Sequence, residues 1–589
     1  MRGFRYFQRR SKNGGFAVVA SLAIAVLPLA AVAQTPSPPP SLDAAIAAIA
    51  ASAPAAMAYQ GTPGLAIAIT DRTHTVRILT FGYANVDAKT PVSDTTRFAI
   101  GSITKSMTAL ALLQLHDAGK VDLDAPVARY VPWFRINSGG KPIRIHQLLS
   151  HTAGIPDNFS QENSWLYDVA ALRGTKTLFA PGTDWSYSND GFATLGAVIA
   201  AVERRSWANA LQARVFGPLA MTHASPIMTP QTLSTAAVGY QLLENDRPPS
   251  SHPALTASPP YDFINPAGSV VAMPEDMARY MRFYLRDGKR DDGTPLLSAA
   301  SFKAMTHADH FLNGRPAGAK SAALAESPTF YRRYGFGLST FDERGDHLVG
   351  HTGGISGYTS CMQINLTRGF GVIALANHEE APLHPCAIVL YAMRALRAQS
   401  EGKTLPPRWQ APDIAHVPHA AAYAGAYASP RGSTLQVLAT AGHLALVDGT
   451  HTIKLYPRGG DLFWADDPKY ALFLLNFSRD KHKAVVAVNY GPTWFANDRY
   501  RGPRTFHYPA SWNALVGRYE NVFTGSGPSV TRVVIVNNAL TFDGTTPLTP
   551  RPDGTFALGP SIVRFDVAAG KEPLRLDIDD THLYRVDLP

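Results

Sequence analysis

The run Ser102-Ile103-Thr104-Lys105 places a hydroxyl and an ammonium three positions apart. On a helix, residues at that spacing share a face. A serine hydroxyl is a weak nucleophile until a base removes its proton, and a lysine drawn into a buried or positive environment can be that base. The helix start adds backbone N–H groups and a field that favours negative charge. A second run, Tyr187-Ser188-Asn189, follows the loop-forming Pro181-Gly182-Thr183-Asp184-Trp185-Ser186. A phenol beside an ammonium can relay a proton, and an Asn amide can bind a substrate carbonyl. A third run, His351-Thr352-Gly353-Gly354, enters a strand-like segment, where glycines admit a substrate backbone and an N–H can complete an oxyanion hole. Each run also has an ordinary reading: a capped helix with an exposed lysine, a packed tyrosine, a Gly-rich turn. His151-Thr152-Ala153-Gly154 nearly repeats the third run, but it follows a helix and precedes Tyr187, so it reads as structural.

The elements that must position these residues alternate between strand and helix. β-rich runs at 64–69 and 76–83 suggest an early hairpin, and 102–118 reads as a largely buried helix closed by Gly119. An Ala-rich first helix is expected over 42–58, with more around 146–149, 191–203 and 274–285. Strands return near 358–365 and 370–376, and a final helix runs through Val389 and Leu396. Strands first and last with helices between give an α+β fold in which the two chain ends meet in one antiparallel sheet. Beyond a Pro-containing linker the sequence turns to short alternating strands. That tail repeats itself: Tyr423-x-Gly425-x-Tyr427 matches Leu515-x-Gly517-x-Tyr519, and Leu455-x-Pro457-Arg458 with Phe463 matches Leu548-x-Pro550-Arg551 with Phe556. Two similar β-domains are expected, small barrels or sandwiches, with one larger β-domain as the alternative.

At 589 residues the chain exceeds one hydrophobic core, and its 46% hydrophobic and 17% charged residues mark it as globular. Arg2, Arg5, Arg9, Arg10 and Lys12, an apolar run from Phe16 to Leu29, and Ala31-Val32-Ala33 read as a signal peptide over 1–33, hence a periplasmic or secreted protein. Without those five cations the formal charge falls from +9 to +4. No later stretch is expected to span a bilayer, and no basic cluster interleaved with aromatics suggests nucleic acid. Cys361 and Cys386 exclude a cysteine-built metal cluster; they could pair or stay as separate thiols.

The order of the three runs, at separations of 85 and 164 residues, resembles the class C β-lactamase and DD-peptidase family of penicillin-recognising serine hydrolases. Supporting segments are Phe98-Ala99-Ile100-Gly101, Gln147 through Gly154, Pro266-Ala267-Gly268-Ser269 and Tyr334-Gly335-Phe336-Gly337. The resemblance covers roughly 46–399. It implies an antiparallel sheet flanked by helices plus an all-helical region, with the site between them. It further implies that Ser102 is the nucleophile, Lys105 and Tyr187 move the proton, Asn189, His351 and Thr352 contact substrate, and the N–H groups of Ser102 and Gly354, beside Gly353, form the oxyanion hole. No metal or organic cofactor is implied. Histidine at 351, where β-lactamases of this kind carry lysine, resembles the carboxypeptidase, D-aminopeptidase and esterase branches. The expected division is a signal peptide (1–33), a Pro-rich tether (34–45), the hydrolase domain (46–400), a linker (401–415) and two β-domains (416–505 and 510–589). Expected substrates are small peptides, amides or esters. Self-association through the β-domains and entry of Thr524-Gly525-Ser526-Gly527 into the site are further expectations. A non-catalytic cell-wall or peptide receptor is the alternative of another class.

Overall fold

The apolar run starting at Gly64 alternates large and small residues, and that alternation decides what packs on each side of it. As strand β1 (Gly64–Asp71) it turns Leu65, Ile67 and Ile69 to one core and Ala66 and Ala68 to another. β2 (Thr75–Asn85) forms a hairpin with it and β3 (Thr90–Pro91) extends the edge. Two short pairs lie mid-chain, β4 (Phe98–Ala99) with β7 (Val271–Ala272) and β5 (Tyr240–Leu242) with β6 (Leu255–Ala257). The main sheet then resumes with β8 (Arg333–Tyr334), β9 (Ser339–Glu343), β10 (Asp346–Ile355), β11 (Tyr358–Asn365) and β12 (Phe370–Ala376). Its antiparallel order is β3-β2-β1-β12-β11-β10-β9-β8, so first and last strands pair in the centre, Leu65 opposite Ala376. This computed structural model describes residues 40–156, 164–243, 247–248, 254–258, 265–308, 333–379, 385–521, 529–559, 561–567, 573–579 and 581–586. The leader at 1–33, the first half of the tether (34–39) and the Thr524–Gly527 stretch lie outside these residues.

Helices cover both faces, which makes the fold α+β. α1 (Leu42–Gln60) begins inside the stretch assigned to the tether, capped by Ser41, whose hydroxyl accepts from Ala44 N–H at 3.1 Å. By length and composition alone Leu42–Tyr59 could cross a membrane, although the sequence predicts an Ala-rich first helix there and no span after the leader. In the fold Ala45, Ile49 and Ala53 are fully buried with Val389 and Ala392 of the last helix over the large-residue face of the sheet.

The other face carries α2 (Thr104–Asp117), α3 (Ile145–Leu149), α4 (Trp165–Ala171), α5 (Asn189–Glu203), α6 (Trp207–Leu211), α7 (Pro230–Leu233), α8 (Pro274–Leu285) and α9 (Ala299–Thr306). α2 is the hub, with eleven residues from Thr104 to Leu115 buried. The expected helix start at Ser102 is a tighter 3-10 turn over Gly101–Ile103, because Gly101 is wedged at φ +51° against β10. α10 (Cys386–Ser400) is tied to β11 by a Cys361–Cys386 disulfide, which settles the open question of the two thiols.

After α10 the chain runs back over α1: Trp409 N–H donates to Ser52 Oγ at 3.2 Å, and the Trp409 and Tyr59 rings lie 5.9 Å apart. The tail then builds two all-β units with separate cores. Eight strands, from β13 (Gly425–Ala428) to β20 (Thr493–Ala496), close into a barrel; nine, from β21 (Gly517–Asn521) to β29 (Thr581–Arg585), form a second sheet. The sequence repeat has a physical counterpart. Tyr427 and Tyr519 are both fully buried, and each hydroxyl donates to the carbonyl four residues back, Tyr423 O at 2.7 Å and Leu515 O at 2.9 Å.

Candidate active site

Lys105 projects from the first turn of α2 and is wholly buried, a costly place for an amine unless every N–H finds an acceptor. Its Nζ donates to Ser102 Oγ at 3.0 Å, Asn189 Oδ1 at 2.6 Å and the carbonyl of Ala267 at 2.9 Å. It also lies 4.7 Å from the Tyr187 ring centroid and 5.9 Å from that of Phe192. Ser102, Tyr187 and Asn189 are each partly exposed beside the buried lysine, so the Ser102 hydroxyl is both within reach of the ammonium and open to solvent. The Ala267 segment is held in place by Thr108, whose hydroxyl donates to Pro266 O at 2.7 Å, and by Asn265 Oδ1, which accepts from Ala267 N–H at 2.7 Å.

Tyr187 and Asn189 arrive on a loop and the start of α5, where Ser188 caps the helix by accepting from Gly191 N–H. That loop is laid residue by residue on the turn at 151–154. Leu178 N–H donates to Gly154 O (2.8 Å), Gly182 N–H to Thr152 O (2.7 Å) and Ser186 N–H to His151 O (3.0 Å). Ser188 N–H then donates to His151 Nδ1 at 3.1 Å. His151 sits at φ +59° with its ring 4.4 Å from Tyr187, 4.8 Å from Tyr334 and 5.1 Å from Phe192. Burial, then the nearby Lys105 charge, hold its pKa well below the usual histidine range. The segment first read as a look-alike is the template for the loop that carries Tyr187. In the sequence it shows as a near-copy of the third run, with nothing to mark its contact with the Tyr187 loop.

β9 pairs with β10 only as far as Gly350, so the stretch His351–Ile355 keeps an edge on which the Gly101–Ser102 turn sits. Two glycines permit the approach. A Cβ on Gly101 would lie 2.6 Å from Gly354 N, and one on Gly353 would lie 1.9 Å from Ile100 O. Ser360 of β11 fixes the same corner, donating from Oγ to Ile100 O at 2.8 Å. The amide of Gly354 thus lies beside the Ser102 turn, and Thr352, half-exposed, stands between Gly353 and His351 on the same strand.

His351 is fully buried, 6.4 Å ring to ring from Tyr187. Its Nδ1 lies against its neighbour's carbonyl, Thr352 O, and its Nε2 is 2.9 Å from Tyr334 Oη. That pattern suits a neutral ring donating from Nδ1 and accepting at Nε2. Burial and the Lys105 charge push its pKa down to about 3. The structure therefore brings Ser102, Lys105, Asn189, Tyr187, His351, Thr352, Gly353 and Gly354 to one cleft, and adds Tyr334, the Ala267 carbonyl and His151. Among the described residues no group of three or more His, Cys, Asp or Glu side chains could hold a metal ion.

The β-lactamase family profile matches residues 49–389. The chain belongs to that family. Among curated proteins, penicillin-binding protein 4 of Amycolatopsis lactamdurans is 30% identical over 285 residues, spanning 47% of this chain and 70% of that protein. Protein flp of Staphylococcus aureus is 28% identical over 306 residues, 50% of this chain, and the chain spans 56% of its length. The octameric penicillin-binding protein homologue of Pyrococcus abyssi superposes with a TM-score of 0.54 at 24% identity, covering 77% of this chain and all of that one, which supports the fold.

Proposed function

We propose that this β-lactamase-family chain is a serine hydrolase that cleaves small amides or peptides through an acyl-enzyme on Ser102, with esters as the second substrate class. The observation that carries this reading is the Lys105 Nζ, buried and 3.0 Å from Ser102 Oγ, with its other bonds to Asn189 and Ala267. Attack transfers the Ser102 proton to the Lys105–Tyr187 pair, which returns it to the departing amine or alcohol. The N–H groups of Ser102 and Gly354 stabilise the oxyanion, and Asn189 orients the substrate. A neutral His351 supplies no cation for a substrate carboxylate. This favours neutral amides, including D-aminoacyl amides, and esters over penicillins. Export by the leader at 1–33 and self-association through the two β-units belong to the same reading.

A turnover panel tests it: D- and L-alanyl p-nitroanilides, a D-Ala-D-Ala peptide, a p-nitrophenyl ester and nitrocefin, each beside Ser102→Ala. Ser102-dependent amide cleavage is expected. Turnover of esters alone moves the assignment to an esterase, and turnover that survives Ser102→Ala overturns the mechanism. Saturable ligand binding with no covalent labelling of Ser102 makes the protein a receptor.

A further inference from the structure

Beyond Gly354 the β10 edge leads into a cavity of about 310 Å³ that the reaction just described does not use. Its walls come from four separate stretches, among them Ala99, Met228, Leu233, Ala237, Ile355 and Tyr358. The lining is mainly apolar, and the volume matches the low end, about 300 Å³, of small-molecule sites. The walls are fixed before any ligand arrives. Tyr358 Oη donates to Ala237 O at 2.5 Å, and the buried Glu379 carboxylate accepts from Gly357 N–H at 2.9 Å and Ser356 Oγ at 3.1 Å. Ser258, also in the wall, is 8% exposed, and its Oγ has no hydrogen-bond partner among the described residues.

The strand gives the cavity a place relative to the scissile bond. The leaving group must depart toward its proton source, and that side of the cleft holds Lys105, Tyr187 and, 6.4 Å from Tyr187, His351. β10 runs from His351 through the oxyanion corner at Gly354 to Ile355, so its far end lies on the acyl side. Ile355, one residue past Gly354 and about 3.8 Å along the chain, is already cavity wall. Ala99, three residues before the nucleophile, is cavity wall as well.

Resting on the acyl-enzyme reading, we propose that this cavity is the acyl-side specificity pocket and that it takes an apolar substituent, a branched or aromatic side chain or a medium-length alkyl chain. The preferred substrates are then amides and esters of bulky apolar acids rather than of acetic acid or glycine.

The test is a p-nitrophenyl ester series from acetyl to octanoyl. In the unaltered protein kcat/KM is expected to rise about four-fold for each CH2 buried, until the cavity is full. Ala236→Phe, which fills the cavity from a half-exposed wall position, should flatten that rise while leaving the acetyl ester within about two-fold. Leu233→Ala should extend the rise to longer chains. A flat series in the unaltered protein, or a rise untouched by Ala236→Phe, overturns the pocket while leaving Ser102 chemistry standing. Loss of Ser102-dependent turnover across the whole series overturns the acyl-enzyme instead. In that case alkanamides from acetamide to octanamide, titrated against Ser102→Ala protein, decide the pocket: affinity that grows with chain length and is flattened by adding Ala236→Phe supports it, and no growth refutes it.

Discussion

Two stretches of this molecule share nearly the same letters, His-Thr-Ala-Gly at 151–154 and His-Thr-Gly-Gly at 351–354, and both bury a histidine near Lys105. They do different work because of what surrounds their backbones. At 151–154 the chain turns, with His151 and Gly154 both at positive φ, and its carbonyls point outward to collect N–H groups from the loop carrying Tyr187. At 351–354 the chain is extended and bonded to β11, so it offers an edge and an amide to whatever lies over Ser102. One segment acts on the reaction through a tyrosine, the other through its own main chain. Nearly identical letters therefore carry no function until the backbone conformation is known.

The comparison can be broken first at the residue both segments serve. Ser102→Ala is expected to lower turnover by about 10³-fold or more while the thermal midpoint stays within a few degrees, since it removes one oxygen at a helix start. A large fall in stability would mean that the cluster is built for folding rather than for chemistry.

The turn is next. His151→Ala removes the acceptor for Ser188 N–H and the ring against Tyr187, and kcat should fall about ten-fold or more with a smaller change in KM. His151→Asn tolerates the positive φ and restores a carbonyl acceptor, so it should recover most of that loss. Equal damage from both variants would make the ring, not the hydrogen bond, the element that matters. On the strand, Gly353→Ala should be the worse tolerated of the two glycine changes there, because its Cβ meets Ile100 O; activity and thermal midpoint should fall together, whereas Gly354 is exposed.

The smallest effect is in pH. His351 is neutral in the fold down to about pH 3, whereas an unfolded chain protonates it near 6.5. Above 6.5 both states are neutral and the residue contributes no pH dependence. Between about 6.5 and 3 only the unfolded chain gains the proton, so stability falls as pH falls. His151 and His378, also buried with lowered pKa values, add to the same limb of a midpoint-against-pH curve, so His351→Gln should make it shallower without abolishing it, while changing neutral-amide turnover by less than about ten-fold. A matching loss of turnover would assign the ring a direct part in the reaction.

Much of this was legible because it is local. The Ser102–Lys105 spacing is helical geometry, and the alternation of β1 and the apolar run of β12 foretold a sheet closing the two ends of the domain. His151 escaped because its work is done by main-chain carbonyls and by a contact 37 residues away, neither of which has a letter. The cavity escaped for the same reason: its walls are brought together from residues 99, 228–239, 257–258 and 355–358. The tail repeat forecast two β-units, and its tyrosines proved to be matching core anchors. Barrel closure in the first unit was not legible, since it depends on Ala428 meeting Ala496 across the whole unit.

The Cys361–Cys386 bond bears on where the protein can be made. Cys361 stands opposite Thr352 in the β10–β11 register, so the bond clamps the strand next to the reacting edge and closes a separation of 25 residues. In the chain-entropy account, a loop of that size restricts the unfolded chain by about 3.5 kcal/mol. Whole domains hold a margin of only about 5–15 kcal/mol. Material produced in a reducing cytosol therefore starts with a substantial part of its margin missing, and yield from such a host should track the oxidation state of this one pair.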